Sequence, residues 1–352
     1  MKKIIIFILI LCCTPLSMLV GASTELDNPA QPELNPIPII LVSEQEGPLT
    51  AGTTELPHPE LKYRGTLLLN SPYPAFGGFS DLLLSKDRKT FLAISDMGFW
   101  LKGSLSYTKS GFLKDVERKA ELGQLLNTEG KTFAIKYYAD SEALCRAPNQ
   151  SPDDTINPGY LVAFERVHRI YHYNSGEPLY LSGKATALPL PKQLTDLPEN
   201  GGIEAMLRLH DNSIFVLSEG DSSAGPFSKG ALLKNGKWIN FKYERNSAYR
   251  PTSAGKLANG KILILERKYQ GPRTLGTRFC TIDRDKITEG ATLSPELFCE
   301  INLPIPRDNY EGMDIISDDD GNQWIYIISD DNFSPVQHTL LSLFELKKQP
   351  AN

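Results

Sequence analysis

The chain has 352 residues and a formal net charge of −5, with 22% charged and 41% hydrophobic residues. This composition is typical of a soluble globular protein with one large domain or two smaller ones. The negative charge and the absence of a Lys/Arg-rich run argue against nucleic-acid binding. We expect a monomer.

The N-terminus has the pattern of a secretory signal peptide, which we place at residues 1–22. Lys2 and Lys3 form the charged start, an apolar run begins at Ile4, and small residues suit cleavage after Ala22. Polar residues and a proline interrupt the apolar run, which disfavours a membrane anchor. Leu11 before the first cysteine disfavours a lipoprotein. We therefore expect an exported protein, periplasmic or secreted, with no transmembrane segment after signal removal.

Residues 23–60 are rich in Pro, Glu, Thr and Gly. Such a composition cannot build a hydrophobic core, so it predicts an extended or disordered leader or linker. The apolar run at residues 37–42 could add one strand to the domain that follows.

Three cysteines remain after signal removal: Cys145, Cys280 and Cys299. An oxidising compartment permits one disulfide. Cys280 and Cys299 each lie in a strand-like run with a loop between them, which favours that pair and leaves Cys145 as a buried thiol. A cysteine metal site is less favoured, because no other Cys or His stands nearby at ligand spacing.

From residue 61 to residue 348 the pattern is almost entirely β. Five pairs of apolar runs are separated by turn-forming residues, as in β-hairpins. In each pair a polar–small–apolar triplet marks the opening of the first strand, starting at residue 80, 142, 204, 253 or 311, and an acid follows the second run. The pairs are residues 80–85 with 91–95, 141–145 with 160–164, 203–209 with 214–217, 253–257 with 262–265, and 313–316 with 324–328.

The first runs begin near residues 80, 142, 204, 253 and 311, so each repeat has room for two further strands. Four short strands per repeat predict an all-β fold, a β-propeller at residues 61–348 with five or six four-stranded blades. The strand at residues 63–69 could pair with the one at 339–346 and close the ring. A β-sandwich would not explain the recurring acid. Residues 114–126 have helical spacing and predict one short helix.

The inner strands of a propeller line a central channel, so the recurring acids should meet at one rim. Clustered carboxylates raise one another's pKa unless a cation lies among them. Oxygen ligands of this kind suit Ca²⁺. Alternatively, the acids cap backbone N–H groups and bind no ligand. The acids expected at the rim are Asp81, Asp96, Asp140, Glu142, Glu165, Glu204, Glu219, Glu266, Glu311 and Asp330.

Among these residues we predict a metal set and a catalytic set. One carboxylate would activate water, and an arginine would stabilise the developing negative charge. The predicted metal ligands are Glu142, Glu204, Glu219, Glu266, Glu311 and Asp330. The predicted catalytic residues are Glu204, Glu311, Glu142, Asp96, Arg166 and Arg267.

Several segments, taken in order, resemble motifs of the phytase-like, or esterase-like, family of exported bacterial proteins. They are FGGFSDLLLSKDRKTFLAISDMG, DSEAL, NGGIEAMLRLHDNSIFVLSEGD, LANGKILILERKY and YEGMDIISDDDGNQWIYIISDDN. The resemblance covers residues 63–346. The residues that fall on the motifs are Gly78, Asp96, Glu142, Glu165, Arg166, Glu204, Glu219, Glu266, Arg267, Glu311 and Asp314.

The resemblance implies a propeller fold and hydrolysis of a small-molecule ester or phosphoester. The carboxylate ring makes Ca²⁺ a candidate cofactor for that reaction. The alternative is a non-catalytic propeller that binds a sugar, peptide or protein partner at its channel mouth, since a fold does not decide a function. The adjacent Glu165–Arg166 and Glu266–Arg267 favour the hydrolase, because a scaffold has little need for paired acid and guanidinium groups.

Overall fold

The computed structural model describes residues 36–47, 56, 58–149, 159–174, 178–220, 225–246, 248–270 and 274–348. The signal peptide predicted at residues 1–22 lies outside this part of the chain. The described residues form these strands: β1 (Ile37–Ile40), β2 (Val42–Glu46), β3 (Leu61–Asn70), β4 (Phe79–Leu84), β5 (Thr90–Ser95), β6 (Phe99–Tyr107), β7 (Leu113–Val116), β8 (Lys119–Gln124), β9 (Ser141–Arg146), β10 (Tyr160–Phe164), β11 (Arg169–Tyr173), β12 (Thr186–Leu188), β13 (Ile203–Arg208), β14 (Ile214–Ser218), β15 (Phe227–Lys234), β16 (Lys237–Glu244), β17 (Arg250–Lys256), β18 (Ile262–Tyr269), β19 (Leu275–Ile282), β20 (Thr292–Leu293), β21 (Glu296–Ile301), β22 (Asn309–Ser317), β23 (Gln323–Asp330) and β24 (Leu340–Leu346).

Helical structure among the described residues is short. It consists of α1 (Lys136–Ala139), α2 (Lys192–Thr195) and a 3₁₀ turn at Arg284–Lys286. No helix in the described ranges has the length and hydrophobicity needed to span a bilayer.

The strands form five sheets, which are the five blades of a β-propeller. From the inside outwards they are β4-β5-β6-β8-β1 with β7 on β6, β9-β10-β11-β12, β13-β14-β15-β16-β20, β17-β18-β19-β21, and β22-β23-β24-β3-β2. The predicted hairpins are the two inner strands of every blade. The propeller prediction is confirmed, and the blade number is five.

The inner strands β4, β9, β13, β17 and β22 contact one another in that order, and β22 returns to β4. Beside each inner strand is a second strand whose two faces are both apolar and pack against adjacent blades. These second strands are β5, β10, β14, β18 and β23. Ile262 to Leu265 of β18, for example, are all fully buried. Burial on both sides explains why these segments read as continuous apolar runs in the sequence.

The ring closes as predicted, because β3 pairs antiparallel with β24 and places Leu67 opposite Leu341. The sequence before residue 61 also takes part. β1 is the outermost strand of the first blade, paired with β8, and β2 extends the fifth blade beside β3. The propeller therefore begins at residue 37, where the composition predicted only a leader with one possible strand.

The helix predicted at residues 114–126 is wrong, since this segment forms β7 and β8. In β8, buried Ala120 and Leu122 alternate with exposed Lys119 and Glu121. That period of two is the pattern of a strand with one buried face. The pairing of β8 with β6 on one side and β1 on the other overrides the weak helical spacing.

The predicted disulfide is also wrong: Cys280 and Cys299 are free and buried. In the pair of β19 and β21, Cys299 lies opposite Phe279, not opposite Cys280. A shift of one residue along a strand moves a side chain to the opposite face of the sheet. Cys280 accordingly lies 3.3 Å from Glu266, whereas Cys299 packs in the apolar cluster with Phe279.

Candidate functional site

A cavity of about 410 Å³ opens where the inner strands begin, and we call it the acidic cavity. Three cationic side chains, Lys136, Arg166 and Arg267, line it together with eight carboxylates. Acidic groups thus outnumber cations by five. The carboxylates belong to Asp96, Asp140, Glu142, Glu165, Glu204, Glu219, Glu311 and Asp330.

A β-bulge lies at the same place in each blade, and in four of the five blades its extra residue lines this cavity. The pairing of every inner hairpin shifts by one residue near this end, and the extra residue lies on the innermost strand. Bulges are a known means of re-aiming a side chain beside a functional site. The extra residues are Ser80, Glu142, Glu204, Thr252 and Glu311.

Glu142 and Glu204 are the least compensated acids of the cavity. Neither carboxylate has a hydrogen-bond partner among the described residues, and they belong to neighbouring blades. Burial raises the pKa of Glu142 well above its usual value, and Glu204, Asp140 and Glu165 raise it further. Burial likewise raises the pKa of Glu204, with added repulsion from Glu165 and only partial relief from Arg267.

Glu165 is held by backbone groups at the start of the next blade. Its Oε1 accepts hydrogen bonds from the N–H groups of Gly201 (2.6 Å) and Gly202 (3.0 Å). Burial raises the pKa of Glu165, and these two bonds oppose that effect. The double glycine is required because a Cβ at Gly202 would lie 2.9 Å from Cγ of Glu165.

We therefore expect Gly202→Ala to displace Glu165 and to lower the free energy of unfolding by about 1–3 kcal/mol, as overpacking usually does. Urea denaturation measures the loss. In a Glu165→Ala background the same substitution should cost less, because Cγ, the nearest of the crowded atoms, is gone. An equal cost in both backgrounds would contradict this contact.

Arg267 joins the fourth blade to its neighbours. Its Nε lies 3.1 Å from Oε1 of Glu311, and its Nη2 lies 3.4 Å from Oε1 of Glu219. Glu311 also accepts a 2.7 Å hydrogen bond from Nδ2 of Asn309. Burial raises the pKa of Glu311, and Arg267 opposes this. Arg267 therefore compensates two of the eight acids.

A second charged group involves Lys136, which sequence reasoning missed. Its Nζ bonds Oδ2 of Asp96 and lies 3.6 Å from Oδ1 of Asp140. Nε of Arg166 lies 2.5 Å from Oδ2 of Asp140. Burial raises the pKa of Asp96, and Lys136 opposes that rise. No motif marks Lys136, because α1 carries it in from the segment before the second blade.

Asp330 ends the last inner hairpin and lines the cavity as expected. Its Oδ1 accepts a 2.6 Å hydrogen bond from the N–H of Asn332. Burial raises the pKa of Asp330 well above its usual value, and Glu311 raises it further. Of the predicted site residues, all except Glu266 therefore line the acidic cavity.

The expectation that Glu266 points toward the shared axis is wrong. Glu266 is fully buried in the sheet and bonds the hydroxyl of Tyr243 (2.8 Å) and Nε of Arg278 (2.6 Å). Glu266 pairs with Pro251 and so occupies the register position of Phe164 and Ser218, one residue before the cavity-facing acids of those hairpins. Arg267, one residue later, takes the cavity-facing position.

Three carboxylates of the cavity are close enough to share a metal ion: Asp140, Glu142 and Glu165, with one ligand atom from each lying within 4.8 Å of the others. All three ligands are carboxylate oxygens, and an all-oxygen set of this kind suits a hard cation such as Ca²⁺. The residues present therefore fit Ca²⁺. Only Glu142 of this trio was among the predicted metal ligands.

Asp81 lies on the channel axis below the cavity and is almost fully buried. Its carboxylate accepts bonds from the N–H groups of Leu82 (2.9 Å), Leu144 (2.8 Å) and Met313 (3.2 Å), and from Oγ of Ser253 (3.2 Å). Four inner strands thus meet at one side chain. Asp81 holds blades together, which was the alternative role considered for these acids.

The raised pKa values predict an unusual dependence of stability on pH. A carboxyl whose pKa is higher in the folded than in the unfolded chain stabilises the fold at low pH, and that stabilisation is lost as pH rises through the folded pKa. We expect the urea midpoint in EDTA to be higher at pH 5 than at pH 8. Glu204→Gln should reduce the difference, and an equal or higher midpoint at pH 8 would contradict the prediction.

Comparison with known proteins gives one family. No curated protein matches the chain. Solved structures with a similar fold include the N-terminal domain of Nup159 (12% identity, 86% of this chain and 98% of that chain, TM-score 0.36) and a protein of unknown function from Dyadobacter fermentans DSM 18053 (12% identity, 89% and 95%, TM-score 0.41). Similarity this low does not indicate a shared function. The model of the phytase-like family, described as "Esterase-like activity of phytase", matches residues 74–333, and the chain belongs to that family.

Proposed function

We propose that the protein is an exported hydrolase of small-molecule esters or phosphoesters and that the acidic cavity is its active site. The observation that carries the proposal is the position of Glu142 and Glu204. They are two neighbouring carboxyl groups with raised pKa values and no hydrogen-bond partner among the described residues. A carboxyl group with a pKa near the working pH can act as a general acid or base. Family membership supports the same chemistry.

In this proposal the side chains of the chain have separate roles. Glu204 activates the attacking water as a general base, because the excess of acids raises its proton affinity. Glu142, shared with the cluster of Asp140 and Glu165, is mainly a metal ligand. Arg267 stays charged, because Glu311 and Glu219 raise its pKa although burial acts in the opposite direction. It can therefore stabilise negative charge that develops on the substrate.

Asp140, Glu142 and Glu165 would hold a Ca²⁺ ion, which would offset the excess of acids and polarise the substrate's carbonyl or phosphoryl oxygen. Glu142 and Glu165 each keep an oxygen for this purpose, and Asp140 offers Oδ1, which lies 3.6 Å from Nζ of Lys136. Arg166 takes Oδ2 of Asp140, and the two glycine N–H groups take Oε1 of Glu165. Glu311, Glu219 and Asp330 belong to the same cavity, and we assign them to binding Arg267 and water.

The test is hydrolysis of p-nitrophenyl acetate, p-nitrophenyl phosphate and phytate by the mature protein, each in Ca²⁺ and in EDTA. We expect turnover of at least one substrate in Ca²⁺ and a loss of activity in EDTA that added Ca²⁺ restores. Inactivity on all three in both conditions would overturn the hydrolase and favour a binding role for the channel mouth.

A further inference from the structure

A second, smaller cavity lies at the opposite end of the channel, where the inner strands end, and we call it the basic cavity. It has a volume of about 50 Å³. Strands of every blade reach it, and its charged residues are Arg146, Arg208, Lys256 and Asp314. Cations outnumber acids here by two, which reverses the balance of the acidic cavity.

The inner strands themselves place acidic residues at one end of the channel and basic residues at the other. β9 carries Glu142 into the acidic cavity and Arg146 into the basic one, and β13 does the same with Glu204 and Arg208. Apolar residues such as Leu144 and Met206 separate the two ends, and Asp81 crosses the axis between them. The two cavities are therefore separate sites on one channel.

Both arginines of the basic cavity are fixed by other groups. Arg146 donates from Nη2 to the carbonyl oxygen of Leu84 (2.5 Å) and to Oδ2 of Asp314 (3.2 Å). Arg208 donates from Nη1 to the carbonyl oxygen of Ala147 (2.8 Å) and to Oδ1 of Asn149 (2.7 Å). Within the described ranges Asp314 is the acid that faces them, and it also accepts a 2.7 Å hydrogen bond from the N–H of Leu84.

Lys256 is the uncompensated group. Its ammonium has no hydrogen bond or ion pair within the described parts of the chain, although it is partly buried and lines the same cavity as two guanidinium groups. Burial lowers the pKa of Lys256, Arg208 and Arg146 lower it further, and Asp314 opposes them only in part. Burial and Arg146 also lower the pKa of Arg208. Such crowding of like charge is costly unless an anion offsets it.

The size of the cavity limits what the anion can be. One water needs about 10–15 Å³ of such volume, so the cavity accommodates about four oxygen-sized groups. Phosphate and sulfate have four oxygens. We propose that the basic cavity binds one small tetrahedral oxyanion of the phosphate or sulfate class, held by Lys256 together with Arg146 and Arg208.

Isothermal titration calorimetry of phosphate, sulfate and chloride into the mature protein tests this, at constant ionic strength and in EDTA. We expect one phosphate or sulfate site per chain and no saturable chloride binding. Lys256→Met should weaken oxyanion binding at least tenfold, whereas Lys256→Arg should retain it. Lys261→Met on the same hairpin is the matched control, because Lys261 is paired with Glu296 at the surface and should not affect binding.

Two further measurements distinguish an oxyanion in the basic cavity from one bound in the acidic cavity. Without oxyanion, Lys256→Met should melt at or above the temperature of the wild type, since it removes one of three crowded cations. Binding should survive Glu142→Gln. The proposal fails if no saturable oxyanion binding occurs at about 10 mM ligand, a very weak affinity. It also fails if Lys256→Met binds as well as the wild type, or if Glu142→Gln alone abolishes binding.

Discussion

Glu204→Gln is expected to lower kcat for ester hydrolysis by about 10²–10⁴-fold, the usual contribution of a general acid or base. The substitution keeps the size of the side chain and removes only its ability to exchange a proton. Steady-state kinetics with the best p-nitrophenyl substrate measure the loss, and KM should change much less than kcat.

The same substitution should not harm the fold. Glu204 has no hydrogen-bond partner among the described residues, and its ionised form is repelled by Glu165 and Glu219. We therefore expect Glu204→Gln to be as stable as the wild type at pH 8, or more stable. Glu296→Gln, a surface control far from the cavity, should keep full activity. An active Glu204→Gln enzyme would exclude Glu204 as the base.

Asp81→Leu is expected to lower the free energy of unfolding by about 3 kcal/mol or more, because it leaves several buried donors without an acceptor at about 1–3 kcal/mol each. The donors belong to four blades and are Leu82, Leu144, Met313 and Ser253. Met313 and Ser253 also bond each other, so the largest losses fall on the N–H groups of Leu82 and Leu144. Urea denaturation of the mature protein measures the total loss.

Two variants provide controls for Asp81. Asp81→Asn keeps Oδ1, the acceptor for three of the four donors, and should cost less than Asp81→Leu. Ser253→Ala removes only one donor and should cost about 1 kcal/mol. If Asp81→Leu were no more destabilising than Ser253→Ala, the axial carboxylate would not be what joins the blades.

The five inner hairpins and the closing strand pair could be predicted because their signals are local. Continuous apolar runs between turn residues mark strands buried on both faces, and the recurring acid indicated which ends of the hairpins meet. The strands β1 and β2 could not be found this way. They are short edge strands whose partners, β8 and β3, lie elsewhere in the chain, and Pro-rich composition surrounds them.

We predicted the acids of the site from their position in the repeat. That position alone does not determine whether an acid lines the acidic cavity. Glu165 and Glu219 come one residue after the hairpin pair that precedes the bulge, whereas Glu266 is itself a member of that pair. One residue of register thus decides whether an acid faces the cavity. Likewise, the fourth bulge falls at Thr252, one residue before the Ser253 that the triplet pattern indicated.

The polarity of the channel did leave a signal in the sequence. Glu142 and Glu204 are each followed four residues later by an arginine, and the third such position is occupied by Lys256, four residues after Thr252. A search for acids alone does not detect this spacing. Lys136 left no comparable signal, because its place in the cavity depends on the path of a connecting segment.

The measurement that tests the cation-binding role of the acidic cavity most directly is calorimetric titration of Ca²⁺ into the metal-free mature protein at pH 8. We predict one Ca²⁺ per chain, with binding lost in Glu142→Gln and Asp140→Asn and retained in Glu266→Gln, whose carboxyl lies between blades. Absence of Ca²⁺ binding, or binding that Glu142→Gln leaves unchanged, would contradict a metal site formed by Asp140, Glu142 and Glu165.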